Sequence, residues 1–231
     1  MALEGGSRAE FSLLEIIHAY TVLAPVPLVP EIRIHQSAEP IDLWENTELA
    51  RGRCGLDPPF WAFAWAGGRA LARYLLDHPE LVRGRNVIDI ASGSGLVAIA
   101  AAKAGAATVT AYDIDELAAA AITVNARANG VAVSATCADI VAEGGQPAPD
   151  ADLVLVADAF YESGLAAKVT RFLEEASIRG AAILAGDFGR TYLPRERLVP
   201  LESYDVPGLR VLEGSDIKHT TVWTLRSAKI A

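Results

Sequence analysis

The sequence predicts an α/β fold in which a mainly parallel sheet is covered by helices and carries an antiparallel edge. Three observations predict it. The stretch from Asn86 to Ala104 reads as a buried strand, a glycine turn and an apolar helix. Beyond it, apolar runs of strand length alternate with helical stretches, the order that lays strands parallel to one another. Close to the end, two strand-like runs follow each other across a short link, which favours an antiparallel pair.

Taken in order, Ala9 to Leu23 places Leu13, Ile16 and Tyr20, with Phe11, Leu14 and Ile17, at helical spacing. Prolines at 25, 27 and 30 are expected to stop this helix. Glu31 to His35 alternates and predicts a short strand. Pro40 to Pro59 reads as a surface connection, with Arg51 and Arg53 solvated. From Pro58 to Arg69 an aromatic-rich loop runs into Gly67 and Gly68, which open a helix with Ala70, Leu71, Tyr74 and Leu75 on its apolar positions. That helix is expected to end near Asp77-His78-Pro79. The strand at Asn86–Ile90 and its helix are followed by a second strand, 108–112, and a helix, 116–129, with Leu117, Ala121 and Val124 on one face and Gly130 at its end. A third strand, 131–136, precedes a Gly/Pro loop at 144–150. The fourth strand, 153–157, is wholly apolar and therefore buried. A helix at 165–176, a fifth strand at 181–185 and strand candidates at 209–213 and 220–225 complete the chain.

At 231 residues, 52% hydrophobic and 21% charged, the chain is long enough for one domain with a sizeable core. A net charge of −9 disfavours nucleic acid as a partner, since nucleic-acid binders present basic patches. Cys54 and Cys137 match no metal or redox spacing and are expected to be free thiols. His18, His35, His78 and His219 form no sequence cluster, so no metal site is expected. Met1 to Glu10 is polar and no apolar run spans a membrane, so a cytoplasmic protein is expected.

Gly93-Ser94-Gly95-Leu96-Val97-Ala98 fits the dinucleotide pattern G-x-G-x-x-A, which keeps an NAD(P)-dependent oxidoreductase in view. Asp89, four residues before Gly93, points elsewhere. A carboxylate there suits a ligand with positive charge near the turn, and S-adenosylmethionine carries an ammonium and a sulfonium in that region. The pattern Asp89-x-Ala91-x-Gly93-x-Gly95 resembles the first motif of the Rossmann-like methyltransferases. Asp113, about 20 residues past the turn, is placed to accept from ribose hydroxyls. Asp115 is as well read as a helix N-cap. Asp139 accepts from an adenine amino group or caps a turn, and Asn125 faces solvent or the cofactor strand.

Several segments resemble, in order, the protein-lysine methyltransferases of the seven-β-strand class, and within it the electron transfer flavoprotein β-subunit lysine methyltransferases and their bacterial relatives. They are Val29 to Ile34, Pro59 to Asp77, Asp113-Ile114-Asp115, Asp158-x-Phe160-Tyr161, Gly186-Asp187-x-Gly189-Arg190 and Thr221-Val222-Trp223. The departures are Ala91, where that family has glycine, and Ala66, where proline is expected. The resemblance implies a Rossmann-like, doubly wound, seven-stranded sheet with helices on both faces, binding S-adenosylmethionine. Residues 1–66 would supply a helix, a strand and a cofactor-covering loop, and 67–231 the methyltransferase domain, as one compact unit. Asp89, Ala91, Gly93 and Gly95 would serve the methionine end, Asp113 the ribose and Asp139 the adenine, with Trp61, Trp65 and Gly67 covering the cofactor. On the acceptor side Asp158 would orient the amine, unless it is a helix cap, and Tyr161 would stack or accept a hydrogen bond beside it. Asp187 and Arg190 would shape the substrate rim or form a loop ion pair. The implied activity is lysine N-methylation of a protein such as the electron transfer flavoprotein β subunit, by a monomer. A nicotinamide-like or ribosomal-protein N-methyltransferase and a non-catalytic binding module remain as alternatives.

Overall fold

The computed structural model describes residues 12–51, 57–142, 150–208, 214 and 216–226. Cys54, Arg53, the loop at 144–149 and the strand candidate at 209–213 lie outside them.

The chain opens with α1 (Leu13–Tyr20), fastened by a capping box in which Ser12 and Glu15 satisfy each other's backbone N–H. The helix stops at Tyr20, ahead of the prolines. The next residues are already strand: β1 (Val22–Val26) pairs antiparallel with β2 (Val29–Gln36). Pro27 and Leu28, the latter at φ +76°, make the turn between them. Pro25 is tolerated because β1 is an edge strand.

The expected surface connection after β2 is instead a helix, α2 (Pro40–Arg51). It exposes Ile41 and Leu49 while burying Leu43 and Thr47, so no sustained apolar face marks it in the sequence. A single 3-10 turn at Phe60–Ala62 leads into α3 (Ala66–Asp77), whose N-cap is Trp65. Ala66 stands at the first helical position, where proline is favoured but alanine serves equally.

Then come β3 (Asn86–Ile90), α4 (Leu96–Lys103), β4 (Thr108–Asp113), α5 (Glu116–Ala128), β5 (Ser134–Cys137), β6 (Leu153–Ala157), α6 (Ser163–Ile178), β7 (Ala182–Asp187), β8 (Leu198–Pro207) and β9 (Ile217–Leu225). The main sheet has seven strands in the order β5-β4-β3-β6-β7-β9-β8. The strands from β5 to β7 are parallel, and β9 runs antiparallel to both β7 and β8. The antiparallel strand is therefore the penultimate one. The edge strand β8 carries Pro200, Glu202, Ser203 and Asp205, mostly exposed, with a bulge after Pro200, and such a strand gives no apolar signal.

Alternation along the strands feeds two cores. Val87, Leu153, Leu155 and Leu184 meet α3, α4, α5 and the β1–β2 hairpin on one face. Ile88, Ile90, Val154, Val156 and Ile183 meet α6 on the other. A third cluster joins Ile16, Ile17 and Leu43 to Trp61, Phe63 and the outer face of α5, and so fixes the segment at Phe60–Ala62. Chain order reverses between β3 and β6, which are neighbours in the sheet. Open α/β sheets bind their ligands at such a switch point, beyond the carboxyl ends of the strands.

Candidate active site

Beyond Ile90 the chain makes a tight turn with three residues at positive φ: Ala91 (+51°), Gly93 (+56°) and Gly95 (+80°). Ala91 holds the left-handed conformation that glycine takes without strain, at a cost of about 1–2 kcal/mol. A Cβ on Gly95 would lie 3.2 Å from Ile122 of α5, so glycine is demanded there by conformation and packing together. Gly93 faces the backbone of Trp61, whose Cα lies 3.9 Å from where a Cβ would stand.

Asp89 lies beneath this turn and is 1% exposed. Its Oδ2 accepts from Ser92 Oγ at 2.5 Å and from the Ala98 amide at 3.1 Å. Burial pushes its carboxyl up to about 7, against the pull of those hydrogen bonds. Asp89 therefore braces the turn from below, tying Ser92 to the first turn of α4.

Asp113, at the end of β4, accepts from the Gly93 amide at 2.8 Å and from the Asp115 amide at 3.0 Å, and burial raises its carboxyl too. Asp115 is the N-cap of α5, accepting from the Leu117 amide. Asn125 is fully buried and faces neither solvent nor an open cleft. It donates to the Ser94 carbonyl and accepts from the His35 amide, both at 2.8 Å, and so ties the turn to β2. Asp139 is exposed, with Oδ1 accepting from the Val141 amide at 3.1 Å. Its turn-capping role is on view, and its outer oxygen is left to solvent or a ligand.

A glycine turn floored by two buried carboxylates fits a ligand with cationic groups and ribose hydroxyls. A pyrophosphate set on the same turn would meet both acids. The Trp61 indole Nε1 is buried, with no hydrogen-bond partner among the described residues. Trp65 instead donates its Nε1–H to the Phe60 carbonyl at 2.9 Å.

The second half of the site surrounds the N-terminus of α3. A Cβ on Gly67 would collide with the Gly186 carbonyl oxygen and the Asp158 carboxylate, so Gly67 is explained by the close approach of α3 to β7. Asp158, at φ +57°, accepts from the Gly68 amide at 2.8 Å through Oδ2 and pairs with Arg190 Nη1 at 2.5 Å through Oδ1. Arg190 Nη1 also reaches Asp187 Oδ2 at 2.9 Å. Asp187, 0% exposed, accepts in addition from the Gly189 and Arg190 amides. Burial pushes the Asp158 carboxyl up and Arg190 opposes it. Both oxygens of Asp158 are engaged, so the role on view is structural, between the N-terminus of α3 and Arg190. Asp158 is a cap, though for α3; its own helix, α6, is capped by Glu162. Asp187 and Arg190 form the ion pair that the sequence left open against a substrate rim.

Tyr161 is 53% exposed, with its ring 5.7 Å from that of Phe60. Sequence reasoning missed Phe60 and Gly186. The double glycine facing a glycine at a strand end was the signal for the second; nothing local marks the first. A separate surface cavity, lined by Asn86, Asp152 and Arg179, opens at the amino ends of β3 and β6, the far end of the sheet from all these groups.

The family described as ribosomal protein L11 methyltransferase (PrmA) matches residues 71–183. The chain is 34% identical over 202 residues to the electron transfer flavoprotein beta subunit lysine methyltransferase of Mus musculus, covering 85% of this chain and 77% of the relative. It is 35% identical over 207 residues to the protein of that description from Xenopus laevis, covering 86% and 80%. Among solved structures, magnesium protoporphyrin IX methyltransferase from Synechocystis PCC 6803 with bound SAM superposes with a TM-score of 0.52 at 16% identity, covering 69% of this chain and 78% of that one. TrmN from Thermus thermophilus gives 0.53 at 22% identity, over 75% of this chain and 55% of that one. At these identities the structural likeness carries the fold.

Proposed function

The chain belongs to the family of electron transfer flavoprotein β-subunit lysine methyltransferases, and from that premise we propose that it transfers a methyl group from S-adenosylmethionine to a lysine amine of an electron transfer flavoprotein β subunit. The observation that carries the reading is the acid-floored glycine turn after β3, with the exposed, touching rings of Phe60 and Tyr161 beyond the end of the neighbouring strand β6. S-adenosylmethionine supplies a methyl group already activated on a sulfonium.

What the chain's residues do is bind, orient and exclude water. Asp89, Ala91, Gly93 and Gly95 hold the methionine end, by backbone shape and by negative charge below it. Asp113 keeps lone pairs for ribose hydroxyls beyond the two amides it already serves. Asp139 takes the adenine end, and Trp61 and Trp65 close over the cleft. Gly67 sets how deeply α3 seats against β7. Asp158 is a positioning residue, holding α3 and its N-cap Trp65 over the cleft with Arg190. Tyr161 meets the acceptor. The lysine must react as a free amine, and its reference pKa of about 10.4 falls when the ammonium is desolvated.

The test is incubation of the purified protein with labelled S-adenosylmethionine and recombinant electron transfer flavoprotein. Label on lysine of the β subunit is the expected result. Label confined to small amines or to ribosomal protein would replace this acceptor with one of those.

A further inference from the structure

We propose that Phe60 and Tyr161 form an aromatic entrance that takes the acceptor as a cation, so that the lysine ammonium is the species first bound. This rests on the methyl-transfer reading above and adds to it the form in which the acceptor is recognised.

The rings of Phe60 and Tyr161 lie 5.7 Å apart and the residues are 41% and 53% exposed. Their sequence neighbours Trp61 and Phe160 are almost wholly buried, at 1% and 0%. Core packing accounts for the buried pair and leaves the exposed pair unexplained. Its place is specific. Phe60 immediately precedes Trp61, whose backbone faces Gly93. Tyr161 follows the carboxyl end of β6, the strand beside β3. The pair therefore stands over the switch point, between the glycine turn and the acceptor side. Phe60 is held there: its carbonyl accepts from Trp65 Nε1, and its ring meets the Trp65 ring edge-on at 5.8 Å.

The charge around the pair is negative. Burial raises the Tyr161 hydroxyl, and Asp57, Asp113 and Glu162 raise it further through their charges, with Arg190 opposing. Glu162 is fixed by capping α6. Arg190 is tied to both Asp158 and Asp187, so its positive charge is already matched.

Aromatic faces attract ammonium groups brought within about 6 Å of the ring, and carboxylates around the rim add to that attraction. A lysine side chain thus docks as the ammonium. As its nitrogen passes inward the ammonium gives up one proton to solvent water, and the neutral amine then carries the lone pair that accepts the methyl group. Uncharged acceptors gain nothing from this rim, which makes Phe60 and Tyr161 specificity determinants.

Phe60→Leu keeps apolar bulk and removes the π face at an exposed position. KM and kcat for recombinant electron transfer flavoprotein, with calorimetry of S-adenosylhomocysteine on the same samples, give the first readout. The second is tryptophan fluorescence of the wild type titrated with Nα-acetyl-Nε-trimethyllysine methylamide and with its uncharged carbon isostere. The proposal expects KM to rise fivefold or more, kcat to stay within twofold, S-adenosylhomocysteine affinity to hold, and saturable binding of the cationic probe alone. Asp57→Asn should raise KM less and weaken its salt dependence. An unchanged KM in Phe60→Leu overturns the proposal, as does a loss of S-adenosylhomocysteine affinity in step with KM, or equal binding of the two probes. Should the wild type leave electron transfer flavoprotein unmethylated, the acceptor reading fails by itself, and the probe titration still decides the rim.

Discussion

The two sides of the cleft are built in different ways. The cofactor side is one continuous stretch, from Asp89 to Ala98, closed by Asp113 and Asn125, and its bonds run mainly to backbone amides and carbonyls. The acceptor side collects Phe60, Gly67, Asp158, Tyr161, Gly186, Asp187 and Arg190 from separate segments and fastens them with buried charge. A side fixed by local turn geometry depends on a few φ angles. A side fixed by paired charges depends on every partner being present.

Arg190→Ala breaks that contrast hardest. It leaves Asp158 and Asp187 buried without their shared cation, and removing one partner from such a set costs about 3–5 kcal/mol. Burial already raises the Asp158 carboxyl, and losing Arg190 raises it further above its unfolded value. The variant's stability is then retained at low pH and lost as pH rises through the folded pKa. Urea unfolding at pH 5 and pH 8 should show the larger deficit at pH 8. An equal, small deficit at both would mean that the ion pair does not hold the acceptor side together.

Gly95→Ala strikes the other side. It forces alanine to φ +80° and sets a Cβ against Ile122, costing about 2 kcal/mol. The expected result is a tenfold or greater loss of S-adenosylhomocysteine affinity by calorimetry with the fold intact. An unchanged affinity would detach the turn from the cofactor.

The same contrast explains what could be read from sequence. β3, β4, β6 and β7 are largely apolar runs, and the turn between β3 and α4 is a single motif, so fold class and glycine turn were legible. α2 was not, because it has no sustained apolar face, nor was β8, a polar edge strand with two prolines. Pro25 suggested the end of a helix where the chain had already begun a strand. The tie between Asp158 and Arg190 and the contact of Phe60 with Tyr161 are products of the sheet's strand order, which brings together residues that no local spacing connects. Asn125 bridges β2 and the glycine turn for the same reason, and sequence alone left its direction undecided.

Asp139→Ala is the mildest test. The side chain is exposed and its bond to the Val141 amide is local, so the unfolding midpoint should not move. Loss of one net hydrogen bond to the adenine end corresponds to roughly a threefold to tenfold weaker S-adenosylhomocysteine complex. Unaltered affinity would return Asp139 to its turn.

The most direct measurement is calorimetric titration of S-adenosylmethionine between pH 5.5 and 7.5 into the wild type and Asp89→Asn. Burial lifts the Asp89 carboxyl to about 7, so its charge is present above that pH and lost below it. A cationic ligand selects the ionised form, and its apparent affinity scales with the fraction ionised. Wild-type affinity should therefore rise about 25-fold across this range, with protons released on binding, while Asp89→Asn stays nearly flat. Equal pH profiles for the two proteins, or uptake of NAD with none of S-adenosylmethionine, would contradict the account.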